Sequence, residues 1–237
     1  MKTAYPRQLI EDCAECRLRT PEHFCNMSEA VLRLFHENSH QTAYPSNACL
    51  FAEGQMPRGL HLLCTGKVKL STTSREGKIL ILKLANAGEV LGLSAVISGT
   101  YYEVTAHTAE PCVVSFLERR SLVDALSKNG ELGFRAAQAL SAQFQAAYRD
   151  IHDLVLARSS EGKLAKLLLS WGGQSENGDG EIRLPSTLTH EEMGQMIGAS
   201  RETVTRVLSH LKRKDFIRVE GSVLVIRNKT ALEALST

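Results

Sequence analysis

Several absences set the first limits on this chain. It contains no run of about 18 apolar residues, which excludes a bilayer-spanning helix. Its start, Met1-Lys2-Thr3-Ala4-Tyr5-Pro6-Arg7, has no apolar core behind it to act as a signal peptide, so the expected location is the cytoplasm. Six cysteines in 237 residues are too few for a disulfide scaffold, and in a reducing compartment they are free thiols or metal ligands. Gly-x-Ser-x-Gly, a phosphate-binding loop and His-Glu-x-x-His are all missing, and the eight histidines are scattered, which argues against an enzyme. The net charge is only +2, so any attraction to a polyanion must come from local charge.

What is present is a globular composition, 43% hydrophobic and 23% charged, long enough for two cores. The most informative stretch runs from Thr189 to Lys212. Thr189 and Glu192 make a capping box for one helix, Gly198 ends it, and Ser200 can cap a second. In that second helix Val204, Val207, Leu208 and Leu211 form an apolar stripe at i, i+3, i+4 and i+7. Arg201, Glu202, Thr205, Arg206 and Ser209 are left on the opposite face. Arginine can donate twice to guanine and glutamate can accept from cytosine, so this face suits base edges in a major groove. Between Arg201 and Asn228 seven basic residues stand against Glu202, Asp215 and Glu220, concentrating positive charge where DNA would lie.

Two capped helices around a tight turn are the helix-turn-helix pattern. The run from Gly194 to Arg206, Gly-Gln-Met-Ile-Gly-Ala-Ser-Arg-Glu-Thr-Val-Thr-Arg, closely resembles that of the Crp/Fnr family of bacterial transcription regulators, and within it the catabolite activator branch. The resemblance implies a reader of TGTGA-like half-sites, with Arg201 and Arg206 on guanines and Glu202 on cytosine. It further implies Thr189, Ser200 and Thr203 near phosphates. Double-stranded DNA is then the principal partner, with RNA polymerase a second if the protein activates.

Upstream, Ser28 to Phe35 reads as a short helix capped by Ser28. From Gln41 to about Glu118 short apolar segments alternate with turn glycines: Cys49–Phe51, Leu60–Cys64, Lys67–Leu70, Ile79–Leu84, Val90–Leu91 and Cys112–Phe116. This predicts an antiparallel jelly-roll barrel, and the segment resembles the cyclic-nucleotide-binding fold that the family uses as a sensor. Cyclic-AMP binders in that fold carry Gly-Glu-Leu and a later Arg-Ser. Here stand Gly92-Leu93-Ser94 and Tyr101-Tyr102-Glu103, so cyclic AMP is not the expected effector.

Ala137, Leu140, Phe144, Ala147, Ile151 and Leu154 alternate spacings of three and four, a seam that predicts helix pairing in a homodimer. Leu164, Leu167, Leu168 and Trp171 mark another amphipathic helix. A strand near Glu181–Leu184, a hairpin around Glu220-Gly221-Ser222 and a closing helix over Lys229–Leu235 complete a winged helix-turn-helix. The expected class is α+β: arm and short helix over 1–40, sensor barrel over 41–125, dimerisation helix over 126–158, and DNA-binding domain over 159–237.

Cys13-x-x-Cys16 with Cys25 resembles the N-terminal iron–sulfur ligands of the family's oxygen-sensing branch, and implies Cys112 as the fourth. The spacing before Cys25 is longer than in that branch, and Cys112 sits about two positions from its barrel ligand. A cluster, another metal and ordinary thiols of an arm all stay open. Cys49 and Cys64 fall in strands and are expected as small buried side chains. A protein whose metal or redox chemistry is primary is the alternative reading.

Overall fold

The computed structural model describes residues 13–16, 18–156, 159–172, 182–185, 188–221 and 223–236; over 150–156, and at Gly172 and Pro185, it describes the backbone alone. The loop expected over Gln174–Gly180, Ser222 of the hairpin turn and the start of the chain lie outside the described residues. The chain divides into two compact units between Gln145 and Ala146.

In the first unit α1 (Glu29–Glu37) precedes β1 (Ser39–Tyr44), β2 (Cys49–Phe51), β3 (Gly59–Thr65), β4 (Lys67–Thr73), β5 (Ile79–Asn86), β6 (Val90–Leu91), α2 (Leu93–Ser98), β7 (Thr105–Thr108), β8 (Cys112–Glu118), α3 (Arg119–Lys128) and the start of α4 (Gly130–Leu156), a helix that runs past Gln145 into the second unit. Two four-stranded antiparallel sheets form, in the orders β1-β8-β3-β6 and β2-β7-β4-β5. This is the jelly-roll architecture that the glycine-punctuated pattern predicts. Strand β7 and helices α2 and α3 carry no clear period in sequence and emerge only from the pairing.

Alternation along β3 and β8 splits the barrel's apolar residues between two cores. Leu63, Val114 and Cys112 pack between the sheets with Phe51, Ala106 and Tyr102. Leu60, Leu62 and Leu117 pack on the outer face, where Phe24, Val31, Leu32, Phe35, Leu122 and Leu132 cover them. Glycine is required at Gly59, where a Cβ would lie 2.3 Å from the Leu117 carbonyl oxygen.

Helix α1 forms as expected, but Ser28 does not cap it through its side chain. Its hydroxyl donates instead to Glu131 Oε2 and its backbone N–H to Glu131 Oε1, both at 2.6 Å. A carboxylate brought in from 103 residues away outcompetes the local partner.

The second unit holds α5 (Ser160–Gly172), β9 (Ile182–Pro185), α6 (His190–Ile197), α7 (Arg201–Arg213), β10 (Ile217–Glu220), β11 (Val223–Ile226) and α8 (Lys229–Leu235). Its antiparallel sheet has the order β10-β11-β9. One core gathers Leu164 and Leu168 from α5, Met193 and Ile197 from α6, the α7 stripe, Ile226 and Leu232. The fold as a whole is α+β. No helix among the described residues is long and apolar enough to cross a membrane.

Candidate functional site

The helix-turn-helix is assembled by short-range chemistry. The Glu192 backbone N–H donates to Thr189 Oγ1 at 3.2 Å, and the Thr189 backbone N–H donates to Glu192 Oε2 at 2.7 Å, closing the capping box. Gly198 ends α6 in the left-handed region at φ 68°. A Cβ on Gly194 would stand 2.6 Å from the Ala199 carbonyl oxygen, so glycine lets the turn fold back against its own helix. Ser200 Oγ accepts from the Thr203 backbone N–H at 3.2 Å and starts α7.

Val204, Val207, Leu208 and Leu211 are buried, which orients the rest of α7. Arg201, Glu202, Thr205 and Arg206 are exposed, and Thr203 is half-buried beside Ser200. The Glu202 carboxyl is held below the ordinary range by its own backbone N–H, then by Ser200 and by Arg201, so it is a ready acceptor.

Thr205 is more engaged than its exposure suggests. Its hydroxyl donates to the Arg201 carbonyl at 2.9 Å and stands 2.9 Å from His190 Nδ1. With the hydroxyl proton committed to Arg201, the imidazole Nδ1–H is the donor of the second bond. His190 thus pins the first helix to the second. The 15-residue separation gives this pair no sequence signal.

Helix α4 divides the expected seam. Leu140 packs with Ala139 against the outer barrel core, because it continues the stripe of Leu132 and Ala136 at i+4 and i+8. Ala137 and Ala147 are exposed. Further along the helix Phe144 is 64% exposed and Tyr148 63% exposed. The side chains of Ile151 and Leu154 lie outside the described residues.

In the barrel, Gly92 and Glu103 sit at either side of α2. Ser94 Oγ donates to Glu103 Oε1 at 3.2 Å. Tyr102 stacks on Phe51 with ring centroids 4.0 Å apart and donates from its hydroxyl to the Gly59 carbonyl at 2.8 Å. Gly92, at φ 76°, leaves room for that ring: a Cβ there would meet Tyr102 Cε1 at 2.5 Å. His61 lies between Phe51 and Phe116, and burial lowers its pKa to about 4, which keeps the imidazole neutral.

The cysteines separate by sheet face. Cys112 points into the inter-sheet core and its thiol donates to the Lys67 and Glu110 carbonyls, so it is not brought to Cys13, Cys16 and Cys25. Cys64 is instead on the outer face with Cys25. It is half-buried, while Cys49, expected in the interior, is exposed on the edge strand β2. Burial, with the neighbouring Cys13, Cys25 and Cys16 thiols, pushes the Cys64 thiol up to about 12. Burial and Cys16 likewise raise Cys25, against the opposing pull of its own backbone N–H, Arg19 and Arg135. Among the described residues, no three His, Cys, Asp or Glu side chains stand at the spacing of one bound ion.

Comparison with known proteins accounts for both units. Residues 41–129 match the cyclic nucleotide-binding domain, and residues 162–235 match the Crp-like helix-turn-helix domain. The chain is 27% identical over 202 residues to the cAMP-activated global transcriptional regulator CRP of Haemophilus influenzae, covering 84% of this chain and 88% of that protein. It is 26% identical over 192 residues to the CRP-like cAMP-activated global transcriptional regulator of Mycobacterium tuberculosis, covering 80% and 84%. In fold it is similar to FixK2 from Bradyrhizobium japonicum, with a TM-score of 0.74 at 20% identity, over 84% of this chain and 98% of that one. A sensor jelly roll and a winged helix-turn-helix, each matched by its own domain model and both spanned by relatives that regulate transcription, make this chain a member of the Crp/Fnr family of transcription regulators.

Proposed function

We propose that the protein is a cytoplasmic homodimer that binds a pseudo-palindromic DNA site with TGTGA-like half-sites and is not an enzyme. The observation that carries this reading is the exposed face of α7, where Arg201, Glu202 and Arg206 stand out from a helix whose other face is fully packed. Arg201 and Arg206 contact guanines and Glu202 accepts from cytosine, while Thr189, Ser200 and Thr203 lie along the phosphates. Thr205 supports the face through His190 and Arg201. Two such helices must reach half-sites one helical turn apart, which a symmetric dimer supplies. Phe144, Ala147 and Tyr148 on α4 are the proposed contact, continued by Ile151 and Leu154. RNA polymerase is a partner if the bound protein activates.

The barrel controls affinity in response to a signal other than cyclic AMP. Glu103 holds Ser94 in the segment where cyclic-AMP binders carry their arginine, and an anionic phosphate would meet that carboxylate. Band-shift titration with a TGTGA-containing palindrome and a scrambled control tests the reading. Preference for the palindrome that Arg206→Ala weakens is the expected result; equal affinity of the parent for both DNAs would reject it.

A further inference from the structure

Helix α6 opens on a capping box that engages the hydroxyl of Thr189 completely. Thr189 Oγ1 accepts from the Glu192 backbone N–H and donates to Glu192 Oε2 at 3.0 Å, so its one proton stays inside the turn. The next residue, His190, is exposed, and its ring reaches across to α7. There Nδ1 stands 2.9 Å from Thr205 Oγ1, whose own proton goes to the Arg201 carbonyl at 2.9 Å. Thr205 lies one turn from Arg201 and next to Arg206, so the anchored ring borders the reading face.

That anchoring fixes the protonation pattern of the ring. Nδ1 holds a proton in order to donate to Thr205, and a neutral imidazole has only one, so Nε2 is then a bare lone pair. Nε2 has no partner among the described residues. A phosphate oxygen offers only acceptors, so the neutral ring repels it. In the other neutral tautomer Nε2 could donate, but Thr205 would have to turn its proton to Nδ1 and abandon the Arg201 carbonyl. Adding a proton avoids both costs: the imidazolium keeps the Thr205 bond and gains a charge-assisted donor at Nε2. The charged groups on the elements around it are Glu191 and Glu192 on α6, Arg201, Glu202 and Arg206 on α7, and Glu161, Lys163 and Lys166 on α5. Glu191 and Glu192, at the start of α6, oppose an incoming phosphate, and a proton on His190 offsets one of them.

We propose that His190 is a DNA phosphate contact that forms only as the imidazolium, so that each subunit takes up one proton on binding DNA. The inference rests on the DNA-binding reading, with the first helix of the motif crossing the DNA backbone. Histidine is the side chain whose charge changes between about pH 5 and 8, so DNA affinity rises on acidification through that range, by up to about tenfold per pH unit for each proton taken up. A phosphate carries no sequence, so a palindrome and a scrambled duplex gain alike and the preference between them is unchanged.

The test is fluorescence-anisotropy titration of both duplexes with the full-length protein at about pH 6 and about pH 8 over a salt series, beside His190→Gln, His190→Arg and His210→Gln. The parent should bind about tenfold or more tightly at the lower pH, and its slope of log affinity on log salt should be steeper there by about one per subunit. His190→Gln should lose the pH dependence and bind throughout as the parent does at the higher pH. His190→Arg, a permanent cation, should bind as tightly at the higher pH as at the lower, and there exceed the parent, a gain that misfolding cannot imitate. His210→Gln should keep the parent's pH dependence. A parent whose affinity is flat with pH would overturn the assignment, as would a dependence that survives in His190→Gln, disappears in His210→Gln alone, or is confined to the palindrome. In each of those cases a palindrome preference that Arg206→Ala weakens would leave the DNA reading standing, whereas a parent that binds neither duplex overturns both.

Discussion

The reading helices and the sensor barrel treat their polar groups in opposite ways. Around α7 the decisive bonds join residues three or four apart, and the functional side chains stay exposed: Ser200 with Thr203, Thr205 with Arg201, Thr189 with Glu192. In the barrel the buried polar groups bond far along the chain, 43 residues for Tyr102 with Gly59, 63 for Thr108 with Pro45 and 76 for Ser115 with Ser39. A locally built scaffold can therefore change its exposed face without unfolding. A barrel whose polar groups sit in the core ties any change of chemistry to stability.

That contrast predicts where substitutions act. The largest effect belongs to the barrel core: Leu63→Ala, at a fully buried side chain, should cost about 2–5 kcal/mol of stability in urea unfolding of the sensor unit. A value below about 0.5 kcal/mol would mean that this core is not tightly packed. Next is His61. Its folded pKa is lowered from 6.5 to about 4, so below pH 6.5 the unfolded chain takes a proton that the folded barrel refuses. This contribution to barrel stability is fully present above that pH and should fall by about 3 kcal/mol by pH 4, because each tenfold rise in proton activity within the window favours the unfolded chain by about 1.36 kcal/mol. His61→Phe should flatten this dependence; an unchanged slope would move the titrating group elsewhere.

The reading face should behave in the other way. Arg206→Ala should cost about 1–3 kcal/mol in binding to the palindrome and leave the unfolding midpoint unmoved, because its side chain is exposed. A shifted midpoint would break the comparison. Thr189→Ala should cost about 1 kcal/mol of stability in the second unit by removing half of the capping box, which thermal unfolding reads. The smallest expected effect is none at all: calorimetric titration with cyclic AMP should show no saturable heat, and micromolar binding would show that Glu103 and Ser94 do not block the phosphate.

Much of this molecule is legible along the chain. The capping residues Thr189 and Ser200, the stop at Gly198 and the stripe from Val204 to Leu211 all act within about one helical turn, so their residue types specify their own geometry. The turn glycines likewise mark most strands, since a left-handed backbone at Gly66, Gly77 or Gly88 is a local requirement. Cysteine roles are not legible in this way. In sequence Cys112 groups with the arm by resemblance and Cys64 reads as packing, whereas pairing of β3 with β8 puts Cys64 on the outer face with Leu60 and Leu62, and Cys112 on the inner face with Leu63 and Val114. Leu140 and Ser28 are decided by tertiary packing too, one drawn to the barrel and the other to Glu131. The reason is common to all of them. A helix cap or a turn is fixed by bonds among near neighbours, but the face of a sheet that a side chain occupies depends on pairing between distant strands, and a slip of one residue reverses it.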